Sequence, residues 1–383
     1  MEKNNLFCAY HLEMTAAGEE ILPKFDSNNI PIVLSSNDVN VPFCAVTIQS
    51  ILDCISDERN YDIFILTSDV RRDQREMLES MIAPYPNVSL RLVDMDGVLS
   101  QYNYPHVTEE IYFRLMIPWI LKNFPRVIFV DGDTIFKNDP GQLLEVDLKS
   151  YYVAASRDIV VAAFVNGFHQ EFIPYIVDFL GLECPLDYFN AGLMVLNCEE
   201  IRADFTPEHF FDDMGSHEYT LGDQDALNKA FRGHVYFLTL EWNMPPDSYV
   251  GIAGDGMRKS EYICHAPEEM QALYAKAHAN PMAIHYTDTG KPWYYPDDDL
   301  ADAFWETARR TPFYEPIFFR LLHFQAQQKS GQLPAVVKPV QYYPQGKLIK
   351  RTIKRIIRIF LPYGTKRRAF IKKIYFRLRR WQY

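Results

Sequence analysis

The sequence predicts an α/β protein whose core is a doubly wound, mostly parallel sheet. Short apolar strands alternate with helical segments from residue 30 onward, the pattern of successive β-α-β units. Val127-Ile-Phe-Val130 is apolar without a break, as suits a strand buried on both faces. Polar clusters follow several strands, at the carboxyl ends where open α/β sheets bind ligands.

In chain order, residues 1–29 are mixed and polar with no period, and are expected to form a loosely packed extension. Ile30-Pro-Ile-Val-Leu34 predicts a strand that runs into Ser35-Ser36-Asn37-Asp38. Val41, Ala45, Ile48, Ile51, Leu52 and Ile55 recur near a 3.6 spacing and predict a helix over 41–55. Strands follow at 61–66 and 88–93 with a helix over 71–82 between them, units that right-handed crossovers join. A helix over 109–123 carries Arg114 and leads into the strand at 127–130. Further strands are expected at 151–155, ending at Ser156-Arg157-Asp158, and at 190–196, after Tyr188-Phe189. Leu221-Gly-Asp223-Gln224-Asp225 reads as a helix start, with acidic residues where the macrodipole favours them. Residues 241–262, rich in Gly, Pro and Tyr, are expected to be loops, and Met282-Ala-Ile-His285 a last short strand.

With 383 residues, 48% of them apolar, the chain can bury a large core and is not a disordered protein. Its six cysteines (Cys8, Cys44, Cys54, Cys184, Cys198, Cys264) form no CxxC pair, which argues against a zinc ribbon or disulfide scaffold and fits a reducing compartment. No basic segment followed by an apolar run opens the chain, and no apolar stretch is long enough to span a bilayer, so a cytoplasmic location is expected. The net charge of -11 is unevenly spread: residues 346–383 hold 14 Lys or Arg and no acid, leaving 25 basic and 50 acidic residues elsewhere. Within this tail Ile349, Ile353, Ile356, Ile357 and Phe360 share one helical face, and Trp381 and Tyr383 suit an interface. A basic amphipathic tail is expected to bind an anionic membrane surface, here the inner face of the plasma membrane. Its alternatives are nucleic-acid binding and a solvated cover over the body.

Asp131-Gly132-Asp133 follows the buried strand. Two hard oxygen ligands so close together suit Mn²⁺ or Mg²⁺, which would hold a diphosphate; equally, they are turn carboxylates. His285 at a strand end is an ordinary core residue or a metal ligand, and Lys291 alone is an ordinary surface charge. Together they offer an imidazole to complete the Asp131/Asp133 site and an ammonium to reach a phosphate. Asp223-Gln224-Asp225 either caps a helix or contacts a small hydrophilic substrate. Asn190 before Ala191-Gly192 either makes a turn or places a carboxamide where a ligand approaches closely. Arg114 and Asp158 read as a structural ion pair or as further polar groups of the site.

Four motifs in one order, Asp131-Gly-Asp133, Phe189-Asn190-Ala191-Gly192, Asp223-Gln224-Asp225 and His285 with Lys291-Pro-Trp293, resemble glycosyltransferase family 8. The resemblance covers roughly residues 30–293 and implies a GT-A fold, a UDP-hexose donor and Mn²⁺ bridging the diphosphate. It implies Asp131, Asp133 and His285 as metal ligands, Lys291 on the diphosphate, and Ser35 and Asn37 facing the uridine. Arg114, Asp158, Asn190, Asp223 and Gln224 would surround the donor sugar, with Gln224 positioning rather than attacking. Family members often carry Asp where Asn37 stands, and their usual glycine three residues after the histidine is Asp288 here. The implied activity is retaining transfer of galactose or glucose to a glycan or lipid-linked acceptor, such as lipopolysaccharide. The rivals are a haloacid-dehalogenase-like phosphatase with Asp131 as nucleophile, and a non-catalytic sugar-nucleotide-binding protein. The phosphatase reading leaves His285 to Trp293 unexplained and expects its nucleophile strand to open the domain.

Overall fold

The structure is a computed structural model and describes residues 12, 14–102, 109–169, 172–249 and 257–330. The basic tail at 346–383 lies outside these residues. Among the described residues there are ten strands: β1 (Met14–Ala16), β2 (Asn29–Ser35), β3 (Asn60–Thr67), β4 (Val88–Asp94), β5 (Arg126–Val130), β6 (Thr134–Phe136), β7 (Val153–Arg157), β8 (Phe189–Asn197), β9 (Val235–Leu238) and β10 (Ala283–His285). Eight form one sheet in the order β1-β4-β3-β2-β5-β8-β7-β9, parallel throughout except for β8, which runs antiparallel to both neighbours.

Both faces of the central strands are buried, and the side chains sort with the period of two that a pleat imposes. Ile32, Leu34, Ile63, Ile65, Ile128 and Val130 share one core with α1 (Val41–Leu52) and with the helices that follow β10. Val33, Phe64, Leu66, Val127 and Phe129 face a second core with Phe210, Phe211, Leu227 and Phe231. Each such buried side chain contributes about 1.5–3 kcal/mol. A slip of one residue would exchange the two faces, so the register is fixed.

The register also builds the crevice. From β2 the chain winds outward through β3 and β4 and returns to the other side with β5, so the carboxyl ends of β2 and β5 flank the switch point. The paired Val33 and Phe129 put Ser35 and Asp131, each two residues further on, at one level. A second, two-stranded sheet pairs β6 with β10 and sets His285 opposite Thr134, next to Asp133.

Four expectations need correction. The predicted helix over 109–123 is a 3₁₀ segment, Glu109–Met116, followed by one α turn, Ile117–Ile120, because Pro118 has no N–H for the Arg114 carbonyl. Within 1–29, Met14–Ala16 adds a parallel edge strand on β4; three residues are too few to show a period. Residues 241–262 are not all loop, for Leu240–Asn243 is 3₁₀ and Lys259–Ile263 helical. Arg114 and Asp158 are not an ion pair with each other; each has other partners, given below. Beyond β10 the chain continues into α2 (Ala301–Ala308) and α3 (Tyr314–Lys329), which pack on α1. No described helix is long and apolar enough to cross a membrane, and the five described cysteines are free.

Candidate active site

Asp131 leaves the end of β5 with its N–H donating to the Gly192 carbonyl at 2.7 Å, which carries the β5–β8 ladder one step further. Asp133 is fixed by its carbonyl, which accepts from Tyr286 N–H at 3.0 Å just beyond β10. The two carboxylates and the His285 imidazole therefore converge, with one ligand atom from each lying within 4.8 Å of the others. His285 Nε2 stands 3.2 Å from Asp133 Oδ1 and 3.7 Å from Asp131 Oδ2. The first contact has the distance but not the angle of a hydrogen bond, and Asp133 Oδ1 is buried without a donor.

The orientation of His285 follows from a chain of amides. Asp158 Oδ2 accepts from Asn190 Nδ2 at 3.0 Å. The Asn190 oxygen then faces the Gly192 N–H at 3.0 Å and Asn243 Nδ2 at 3.0 Å. That turns the Asn243 oxygen to His285 Nδ1 at 2.8 Å, so Nδ1 carries the proton and a neutral imidazole presents a bare Nε2 to two carboxylates. Two anionic oxygens and a lone pair, with no hydrogen among them, repel one another unless a cation sits between. The residues fit a divalent ion on this count.

Charge around the trio is balanced by two cations. Arg114 Nη2 pairs with Asp131 Oδ1 at 2.8 Å, Nε with Asp223 Oδ2 at 2.8 Å, and Nη1 donates to the Ala191 carbonyl at 2.8 Å, while the guanidinium lies over Phe129. Lys291 Nζ binds Asp133 Oδ2 and the Tyr286 carbonyl. Burial would raise the Asp133 carboxyl, but the Lys291 ammonium more than offsets it and holds it well below the usual range. Asp131 moves the other way, raised by burial with Arg114 offsetting only part.

Asp223 and Gln224 open the helix Asp223–Phe231, after Gly222 at φ +63°. Gln224 Oε1 accepts from Ala191 N–H at 2.9 Å, and Nε2 donates to Asp158 Oδ2 and Tyr188 Oη, both at 3.3 Å. Asp158 Oδ1 meanwhile caps the short helix Ile159–Ala163. Asp225 is structural: it accepts from Tyr175, Tyr188 and Leu221 and holds the preceding loop. Ser35 Oγ at the end of β2 is buried with no protein partner, as a ligand-facing hydroxyl would be. Asn37 differs: its side chain accepts from Val39 and Asn40 N–H groups ahead of α1. Gly132 lies against α1, where a Cβ would come within ordinary contact of Cys44, 3.4 Å from its Cα.

The structure thus brings Arg114, Asp131, Asp133, Asp158, Asn190, Asp223, Gln224, His285 and Lys291 together at one site, most of them joined by hydrogen bonds and ion pairs. Sequence reasoning missed Asn243, the buried link between the histidine and Asn190. We predict that Asn243→Ala will weaken binding of a divalent ion about 10–100-fold, measured by calorimetry with Mn²⁺ as the probe, because the imidazole loses its orienting acceptor.

Asp223 yields a second expectation. Burial outweighs Arg114 and raises its carboxyl from 3.8 to about 6. The folded state then holds the proton more tightly than the unfolded chain, so this contribution to stability is full below pH 4 and is lost as pH rises through 6. The loss is about 3 kcal/mol. In EDTA, urea unfolding of wild type against Asp223→Asn at pH 4 and 7.5 should show the variant gaining relative to wild type at the higher pH. A gain at the lower pH would refute the assignment.

The fold that carries Asp131, Asp133, His285 and Lys291 is the one shared by solved glycosyltransferases of the GT-A class. The model of glycosyl transferase family 8 matches residues 31–296, and the chain belongs to that family. General stress protein A of Bacillus subtilis is 25% identical over 254 residues, covering 64% of this chain and 80% of that one. The lipopolysaccharide 1,2-glucosyltransferase of Escherichia coli is 26% identical over 262 residues, 65% of this chain and 69% of its own. Among solved structures, the apo WbbM bifunctional glycosyltransferase superposes with a TM-score of 0.71 at 30% identity, over 79% of this chain and 53% of that one. The chain spans about half the length of that bifunctional protein. The galactosyltransferase LgtC, in complex with donor and acceptor sugar analogues, gives a TM-score of 0.56 at 20% identity over 74% of this chain and 96% of that one, a shared fold. The family match across residues 31–296 sets the phosphatase reading aside.

Proposed function

We propose that this protein is a retaining hexosyltransferase that moves glucose or galactose from a UDP-sugar to a glycan or lipid-linked acceptor, with Mn²⁺ as the preferred ion and Mg²⁺ as a substitute. One observation carries the reading: the buried His285 Nε2 and the half-buried Asp131 and Asp133 carboxylates converge as a candidate cation site, with the Lys291 ammonium beside it. Asp131, Asp133 and His285 would hold the ion, which when bound supplies Lewis-acid stabilisation to a departing diphosphate. Lys291 exchanges its contact with Asp133 for a phosphate oxygen and screens the charge that develops there. Ser35 and Asn37 meet the uridine. Arg114 holds Asp131 and Asp223 in place, and Asp158, Asn190 and Asp223 bind the sugar hydroxyls. Gln224 Oε1, fixed by the Ala191 N–H, turns its second lone pair toward the cationic anomeric carbon. With no carboxylate in that position, attack by the acceptor on the face the UDP leaves fits best, the leaving phosphate taking the proton.

The names of the lipopolysaccharide glucosyltransferase and the galactosyltransferase relatives favour a hexose donor and a glycan acceptor. Residues 346–383 would hold the enzyme at the inner face of the plasma membrane. The test is UDP release from a panel of UDP-sugars, with Mn²⁺ or EDTA, by wild type and Asp133→Ala. Release from one UDP-hexose should require Mn²⁺ and fall about a hundredfold or more in the variant. A wild type that neither releases UDP nor binds any UDP-sugar with Mn²⁺ would end this reading; one that binds without turnover would favour the non-catalytic alternative.

A further inference from the structure

Asp288 lies in the left-handed region at φ +66°, a conformation glycine takes freely and aspartate tolerates better than most side chains. Beside it is Lys259, which has no exposed surface. Its Nζ donates to Ser248 Oγ at 2.6 Å and to the Thr287 carbonyl at 3.2 Å, and stands 3.5 Å from Asp288 Oδ2. Its backbone N–H binds the Ser248 carbonyl at 2.9 Å. Ser248 in turn packs on Gly290, where a Cβ would stand 2.5 Å from the Ser248 Cβ and 2.9 Å from Tyr249 N. Past the turn, Trp293 stacks on Phe43 of α1 with ring centroids 3.9 Å apart. The segment 287–293 is therefore clamped at both ends, and Lys291 projects from between the clamps toward Asp133.

A lysine buried this fully is unfavourable unless its charge is satisfied. Burial lowers its pKa, and Asp288 offsets part of that shift. All three of its side-chain partners belong to the 287–288 turn or to the segment packed beneath it.

We propose that Lys259 and Asp288 are a positioning pair for the donor diphosphate: together they set the 287–290 turn and so the point from which Lys291 reaches a phosphate. The proposal rests on the UDP-sugar reading above. Lys259 touches no substrate and acts through Lys291. Its ammonium holds the Asp288 carboxylate, and with it the left-handed backbone that glycine would adopt unaided.

The test is a double-mutant cycle on the full chain. UDP binding with Mn²⁺ is measured by calorimetry, and donor KM and kcat by UDP release, for wild type, Lys259→Met, Asp288→Gly and the pair. Lys259→Met should weaken UDP binding and raise KM about tenfold, with kcat changed less than about threefold, since the turn is misplaced rather than the chemistry removed. In the Asp288→Gly background the same substitution should weaken UDP binding by less than about threefold, because glycine keeps the turn and no buried carboxylate is stranded. Unchanged UDP affinity in Lys259→Met overturns the proposal, and so does an equal loss in both backgrounds, which would mark Lys259 as a general structural residue. Should Lys259→Met fail to fold, Ser248→Ala removes one of its acceptors, and unchanged UDP affinity there overturns the proposal as well. A wild type that binds no UDP brings down the donor reading itself; a binding wild type with an indifferent Lys259→Met brings down only the pair.

Discussion

Gly192→Ala will lower Mn²⁺ affinity about a hundredfold or more while leaving the three proposed ligands Asp131, Asp133 and His285 in the chain. Gly192 sits in β8 against the His285 ring, and a Cβ there would lie far inside contact distance of the imidazole carbon between the two nitrogens. The ring cannot retreat while keeping its place. Its Nδ1 is held by Asn243, its backbone N–H donates to the Met244 carbonyl at 3.0 Å, and β10 is paired with β6. Relief must come from displacing the ring, which moves Nε2 off the carboxylates. An ångström of misplacement suffices for a loss of about a hundredfold or more in metal affinity and in UDP release. Calorimetric Mn²⁺ titration against wild type, with circular dichroism to confirm the fold, checks it. Near-normal Mn²⁺ affinity would show that the imidazole does not need its place against β8.

Arg114→Met will be the most destabilising change in the site. The guanidinium is buried, pairs with Asp131 and Asp223 at once, and binds the Ala191 carbonyl. Methionine fills much of the volume and the apolar contact with Phe129 but strands two carboxylates in a buried setting. Removing one partner of a buried pair costs about 3–5 kcal/mol, or roughly 4–7 °C in Tm for a chain of this size. The loss should shrink as pH falls, because the stranded acids, already raised, take up protons in the folded state. Adding Asp223→Asn should recover part of it by removing one of the two charges. Scanning calorimetry in EDTA at pH 5 and 8 measures both effects.

The sheet was legible because its strands are buried on both faces: Val127-Ile-Phe-Val130 has no polar residue to suggest anything else. Asp131, Asp133 and His285 were legible as chemical types at or just past the end of an apolar run, and Lys291 only in their company, ahead of Pro292-Trp293. The residues that bind these parts together were not. Asn243 lies 42 positions from His285 in a stretch with no period, and only the bridge between Met244 and Ile284 brings it alongside. Lys259 sits in Met257-Arg-Lys-Ser260, which reads as surface, yet is wholly buried. Arg114 was found, but its pairing with Asp158 was not the one the fold makes. Composition reports what a segment can bury; it does not report which distant amide will orient a ring.

Because β6 and β10 are neighbours in space but about 150 residues apart in the chain, the trio Asp131, Asp133 and His285 is completed only after every strand of the main sheet has been made. A nascent chain ending before Ala283 already holds Asp131, Asp133 and the strands of the main sheet, yet has no third ligand to offer. Ion binding at the proposed site would therefore read out the pairing of β10 with β6, and would serve as a check on refolded material where helix content alone would pass chains that lack this pairing.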